Sequence, residues 1–241
     1  MILLRAEWRH VAILNFAVER SVLARLVPRG TELDEWQGRT YLSMVGFLFV
    51  NTRIMGLPIP FHRHFEEVNL RFYVRRKTDD GWRRAVVFVK EIVPRAAVAL
   101  VARALYNENY VALPMEHEVM RAAEEPHRIA SVSYRWTLAG RLNQLSLSLA
   151  SAPRPLVAGS EEEFNAEHYW GYSVQRNGGT SEYSVQHPPW GVAAAMHAEL
   201  DCDVGRVYGD AFVEPLRAKP VSAFLADGSE VAVSHPGRNI A

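Results

Sequence analysis

The stretch Phe65 to Arg76, FEEVNLRFYVRR, carries two chemically different faces. Period-2 pleating sends Val68, Leu70, Phe72 and Val74 to one side and Glu67, Asn69, Arg71 and Tyr73 to the other. On an open sheet the polar row is simply the wet side of a strand. Inside a small closed barrel it lines a pocket with an acid, an amide, a guanidinium and a phenol. Glu67 and Arg71 lie about 13 Å apart along an extended chain, too far to pair directly. A ligand or the side chains of neighbouring strands must join them. In a pocket, Arg71 would clamp a carboxylate or enolate through two parallel hydrogen bonds, with Glu67 as general acid or base.

Reading outward, Arg9 to Val18 forms a strand, and Val22, Leu23, Leu26 and Val27 fall at helical spacing before Pro28. Arg39 to Val50 is a long apolar strand buried on both faces. The Gly/Pro-rich connector Met55 to His64 follows, and Thr78 to Gly81, TDDG, is a turn. Ala85 to Val93 reads as a buried strand, and Pro94 occupies a position suited to a first helical turn. The run Arg95 to Tyr106 is the best helix, with Val98, Val101, Ala102 and Leu105 on one side. Beyond Ser131 the pattern returns to strands, turning at Ala139-Gly140. Ser160 and Glu163 form a capping box. Asn177-Gly178-Gly179-Thr180 marks a hairpin, and Asp227-Gly228 a last one. With no repeat and no linker, one domain over residues 1–241 is expected, mostly β with a few helices, its tail loose from about residue 235.

The 241 residues are 49% hydrophobic and 22% charged, ample for a sizeable core, and the formal net charge is zero. No electrostatic pull toward nucleic acid or an anionic membrane follows. No apolar run is long enough for a signal sequence or a bilayer span, so a cytoplasmic location is expected. Cys202 is the single cysteine, flanked by acids that would not activate a thiol, and a packing role is expected. The lysines are Lys77, Lys90 and Lys219 only.

The segments AEWRHVAILNF (Ala6 to Phe16), LVPRGTELDEWQGRTYLSMVGF (Leu26 to Phe47), the alternating Phe65 to Tyr73, KEIVPRAAVALVARALYNENY (Lys90 to Tyr110) and AEHYWGYS (Ala166 to Ser173) together resemble the YqjF-like group of the acetoacetate-decarboxylase-like superfamily. The resemblance spans most of the chain. It implies a β-barrel-like fold of antiparallel sheets around a central cavity, with helices packed outside. It also implies two acids on neighbouring strands, at Glu67 and Glu91. In the decarboxylases a lysine pair follows, one of which forms a Schiff base with the keto acid, its amine activated by a neighbouring cation. Here Tyr106-Asn107-Glu108-Asn109-Tyr110 falls where that pair should stand, and contains no lysine. Lys90 is adjacent to Glu91 and so faces the opposite side of its strand. Schiff-base decarboxylation is not expected.

Three further clusters bear on function. Arg103, Tyr106, Asn107, Glu108 and Tyr110 close the long helix, either as a cavity mouth or as a C-cap region. His168, Trp170 and Tyr172 share one face of an aromatic-rich strand start, to stack a ligand or to pack the core. His62 and His64, with Glu66 and Glu67 behind them, resemble half of a cupin metal motif that has no second half. No phosphate loop, nucleophile elbow or zinc cysteine cluster is present.

The expected function is therefore a lysine-less relative that binds a small organic acid or keto compound, with enolisation- or hydration-type acid–base chemistry carried by Glu67, Glu91 and Arg71. Asn69, Tyr73, Arg103, Tyr106, Asn107, Glu108, Tyr110 and His168 are the expected ligand contacts. The alternatives are a non-catalytic binding or sensing domain, or a cupin-like metal enzyme using His62 and His64. No cofactor, nucleic acid or membrane partner is expected, and self-association into a homo-oligomer is compatible with the sequence.

Overall fold

The computed structural model describes residues 1–237 and 240. The strands run β1 (Ile2–Val18), β2 (Glu32–Leu33), β3 (Thr40–Ile54), β4 (Leu57–Pro58), β5 (Phe65–Thr78) and β6 (Gly81–Val93), then β7 (Tyr110–Ala112), β8 (Met115–Arg121), β9 (Ile129–Leu138) and β10 (Arg141–Leu149). The rest are β11 (Arg154–Pro155), β12 (Trp170–Val174), β13 (Thr180–Gln186), β14 (Gly191–Asp201) and β15 (Ser222–Ser234). The helices are α1 (Arg20–Leu23), α2 (Ala96–Tyr106), α3 (Glu161–Ala166), α4 (Val204–Tyr208) and α5 (Val213–Arg217). Among the described residues no helix is long and apolar enough to cross a membrane.

Strands β1-β3-β5-β6-β12-β13-β15 pair in that order, and β15 returns to pair with β1, so this part of the sheet closes on itself. The expected central ring is present. Its pairings are antiparallel except where β12 meets β6. From β15 the sheet continues through β14, β10, β9 and β8 and lies over one side of the ring. Even-numbered residues of β1, β3 and β5, such as Leu14, Met44, Val68, Leu70 and Phe72, pack outward against Val132, Tyr134, Trp136 and Leu147 of that second layer. Odd-numbered ones, such as Ile13, Val45, Phe47 and Phe65, form a separate core inside the ring with Trp190 and Ala99 of α2. Each long strand thus serves two cores, which is why Thr40 to Val50 reads as apolar without alternation.

Single-residue irregularities bend these strands around the ring. Asp227-Gly228 is not a hairpin: β15 continues through it in register with β1, with Gly228 at φ 78 opposite Arg9. A Cβ on Gly228 would meet the Trp8 carbonyl oxygen at 2.0 Å, so only glycine allows this approach. The Ala139-Gly140 and Asn177 to Thr180 turns join their strands as expected. Pro94 lies one residue before the Arg95 N-cap of α2, outside the first turn. The α3 cap forms, the Glu163 amide donating to Ser160 Oγ, but the Glu163 carboxylate reaches back to the amide of Gly159. Gly237 and Ile240 donate backbone hydrogen bonds to Glu182 and Thr180 of β13. Arg238, Asn239 and Ala241 lie outside the described residues.

Candidate functional site

Register across four strands builds the site. Val45 of β3, Asn69 of β5, Glu91 of β6 and Tyr110 of β7 stand opposite one another in one row facing into the ring. Between Leu70 and Arg71 the β5–β6 ladder slips by one residue, leaving Val89 bulged. The slip resets the alternation, so that Phe88 and Glu91 both line the cavity. Asn109 fastens the bulge: its side-chain amide donates to the Val89 carbonyl and its own carbonyl accepts from the Glu91 amide. That anchoring turns the neighbouring Glu108 and Tyr110 into the same cavity.

The closed end of the cavity is a dense polar group. Glu67, Asn69 and Glu91 are each no more than 2% exposed. Tyr110 donates to Glu67 Oε2 at 3.0 Å, and the Asn69 amide donates to Glu67 Oε1 at 3.0 Å. The Tyr183 hydroxyl donates to Glu108. Arg71, half-buried, gives one guanidinium N–H to the backbone carbonyl of Asn165, the last turn of α3, at 2.9 Å. Among the described residues Arg71 Nε, Asn69 Oδ1 and Glu91 Oε2 are buried with no hydrogen-bond partner. Orphaned polar atoms of this kind are costly unless something completes them.

These acids hold their protons unusually well. Burial pushes the Glu67 carboxyl up to about 7, against the opposing hydrogen bonds from Asn69 and Tyr110 and the charge of Arg71. Burial likewise raises Glu108 to about 8. Glu91 lies well above the ordinary carboxylate range, through burial and then the charges of Glu108 and Glu67. Near neutral pH the cluster mixes protonated and ionised carboxyls, which can donate a hydrogen bond and accept a proton side by side.

Of the expected site residues, Glu67, Asn69, Arg71, Glu91, Tyr106, Glu108 and Tyr110 converge on this cavity. Four do not. Tyr73 lies beyond the closed end in a separate cluster, bonded to Ser43 and to the Asn165 carbonyl. Arg103 points to solvent from the side of α2 opposite Val98 and Ala102. Asn107 adopts the left-handed C-cap conformation at φ 55 and spends its amide on the Val174 carbonyl. His168 precedes β12 instead of joining it, so it shares no face with Trp170 and Tyr172. Its ring lies 4.6 Å from that of Tyr73, Nε2 is 3.8 Å from Asp34, and burial pushes the imidazole down to about 4.

The two loop histidines part company. His62 sits at the cavity rim with Nδ1 on the Pro60 carbonyl, while exposed His64 accepts from the Asn51 amide. Glu66 is taken by His117. Among the described residues no three His, Cys, Asp or Glu side chains converge as a metal site. Lys90 faces outward and donates to the Val207 carbonyl of α4, leaving no lysine on the cavity wall. Cys202 is packed as expected, and burial pushes its thiol up to about 12.

The sequence reading missed Phe88, hidden by the bulge, and Tyr183, which comes from a strand remote in sequence. It also missed Trp8 and Trp190, whose rings lie 6.2 Å apart on the wall.

The model of the DUF2071 family, described as an uncharacterized conserved protein (COG2071), matches residues 5–230. The uncharacterized protein YqjF of Bacillus subtilis is 29% identical over 212 residues, covering 85% of this chain and 80% of its own. Among solved structures, an acetoacetate decarboxylase-like enzyme from Sphingomonas wittichii superposes with a TM-score of 0.67 at 12% identity, covering 100% of this chain and 95% of its own. The acetoacetate decarboxylase of Legionella pneumophila gives 0.66 at 12% identity, covering 99% and 87%. The enduracididine biosynthesis enzyme MppR, complexed with pyruvate, gives 0.67 at 11%, covering 99% and 90%. At such identities the likeness is one of fold.

Proposed function

The chain belongs to the DUF2071 family, and within its acetoacetate-decarboxylase-like fold we propose that the cavity binds a small carbonyl-containing organic acid and exchanges protons with it. The observation that carries this reading is the meeting, at one closed end, of the Arg71 guanidinium with three carboxyls of raised proton affinity. Arg71, with Nε unpartnered, anchors the ligand carboxylate. Ionised Glu67 removes a proton from the carbon next to the carbonyl. As that C–H bond breaks, its electron pair moves to the carbonyl oxygen, which takes a proton from protonated Glu91 or Glu108. The product is the enol, and the reverse transfers restore the keto form. Without a cavity amine no iminium forms. The pyruvate held by MppR, on the same fold, makes a 2-oxo acid a sensible first ligand.

Hydrogen–deuterium exchange of the pyruvate methyl group, followed by NMR in D2O, tests the reading. We expect exchange above the buffer rate that is lost in Glu67→Gln. Binding without exchange would make this a binding or sensing domain. Failure of pyruvate and its longer homologues to bind would remove the reading altogether.

A further inference from the structure

The cavity changes character along its length. Its closed end is lined by Glu67, Asn69 and Glu91, whereas the wall nearer solvent is mostly apolar, with Thr52 and His62 as its polar members there. The lining residues that are themselves exposed mark the mouth: Val101 at 42% and Leu105 at 38%, both on α2. Across from them stand Leu4 of β1, Ile54 at the end of β3 and Ile59 in the following loop. Between mouth and closed end the wall is Trp8, Phe47, Phe49, Phe65, Val98 and Trp190.

The composition of α2 shows why this wall is open. AAVALVARALY is almost wholly apolar, yet only Ala99 is buried. A helix of this composition normally buries its face against protein. Here Val98, Val101, Ala102 and Leu105 look into the cavity instead. A ligand of pyruvate's size would satisfy Arg71 and the acids and leave this entire wall wet. The space is about 200 Å³, modest beside the roughly 300–1,000 Å³ of drug-sized sites, and Val98, Val101, Ala102 and Leu105 of α2 line it.

We infer that the ligand is amphipathic: a carboxylic or 2-oxo acid whose hydrocarbon or aromatic tail lies along α2, between Trp8 and Val98, and points out past Val101 and Leu105. This rests on the proposed function for the polar head and adds the tail. Head-first binding follows, because the closed end gathers the guanidinium and all the carboxyls of the cavity while the mouth on α2 is apolar and accessible. Each methylene moved from water onto this wall should tighten binding about fourfold.

Calorimetric titration of the whole chain with straight-chain 2-oxo acids, from pyruvate to 2-oxooctanoate, tests this. The expected result is a Kd that falls about fourfold per added methylene over at least the first three additions. Arg71→Met should weaken every member by a similar factor. Ala102→Phe, which narrows the cavity near the mouth, should abolish the gain with chain length, read as the ratio of long-chain to pyruvate Kd within that variant. Leu105→Phe is a second such variant at an exposed position. A flat or weakening series with pyruvate still bound would overturn the tail and spare the head. Long chains that bind Arg71→Met undiminished would place the tail elsewhere on the apolar surface and overturn it too. If no member binds, both inferences fall.

Discussion

Gly171 and Tyr183 stand directly opposite one another in the β12–β13 pair, and the tyrosine ring occupies the space a side chain at position 171 would need. A Cβ on Gly171 would sit 2.2 Å from Tyr183 Cζ. The missing side chain therefore lets the Tyr183 hydroxyl reach Glu108. Gly171→Ala should push the ring off this position, destabilise the fold by about 1–3 kcal/mol through overpacking, and unseat the hydrogen bond on Glu108. Chemical denaturation, together with ligand titration, checks both effects. A variant as stable as the parent, with unchanged binding, would show that the ring has other room.

Stability should fall as pH rises through neutrality. Glu67, Glu91 and Glu108 all have proton affinities raised above the ordinary value of 4.5, to about 7 for Glu67 and about 8 for Glu108. Between those limits the folded chain holds more protons than the unfolded one, so the contribution is complete below about pH 4.5 and is lost as pH climbs toward 8. Glu91→Gln removes one of the burdened acids and should raise Tm near pH 8 by several degrees, with little change near pH 5. On a chain of this size about 1 kcal/mol corresponds to roughly 2–4 °C. Scanning calorimetry across this range decides the matter, and a Tm gain that is equal at both pH values would argue against buried titration.

Arg71 and Arg75 lie on the same strand in different surroundings. Arg75 makes an exposed ion pair with Glu32 at 2.7 Å, and Arg75→Met should cost less than about 1 kcal/mol. Arg71 forms no ion pair with Glu67; its defined bond is to the Asn165 carbonyl, which also accepts from the Tyr73 hydroxyl. The stability loss in Arg71→Met should therefore be modest, about 0.5–1.5 kcal/mol for the hydrogen bond. The larger effects should be loss of carboxylate binding and a further rise in the proton affinity of Glu67, whose charge Arg71 now favours. NMR titration of the Glu67 carboxyl reads this directly; a midpoint that does not move would mean the two groups do not sense each other.

Borohydride treatment in the presence of acetoacetate should leave no adduct on the protein, because the cavity wall carries no lysine and Lys90 is turned to Val207. Intact-mass measurement after reduction suffices. A stable mass increase mapping to Lys90 would require β6 to present its other face.

The alternation in FEEVNLRFYVRR determined which residues face each core, since strand pleating leaves no freedom once pairing is set. Together with the family resemblance, it also placed Glu67, Asn69, Arg71 and Glu91 on one wall. The sequence could not say where that wall ends. Tyr73 continues the same alternating row but falls beneath α3, past the end of the cavity, because the depth of a pocket is set by what closes it from other parts of the chain. Nor could local pattern reveal the Val89 bulge, which depends on Asn109 bonding across from the segment after α2 and which alone turns Phe88 inward. Asp227-Gly228 has the composition of a turn, yet β1 pairs along the full length of β15 and holds it straight. Local residue preferences act over a few positions, whereas ring closure fixes register between strands more than a hundred residues apart. The acids were written in the sequence; their common burial, and so their shared hold on protons, exists only in the folded ring.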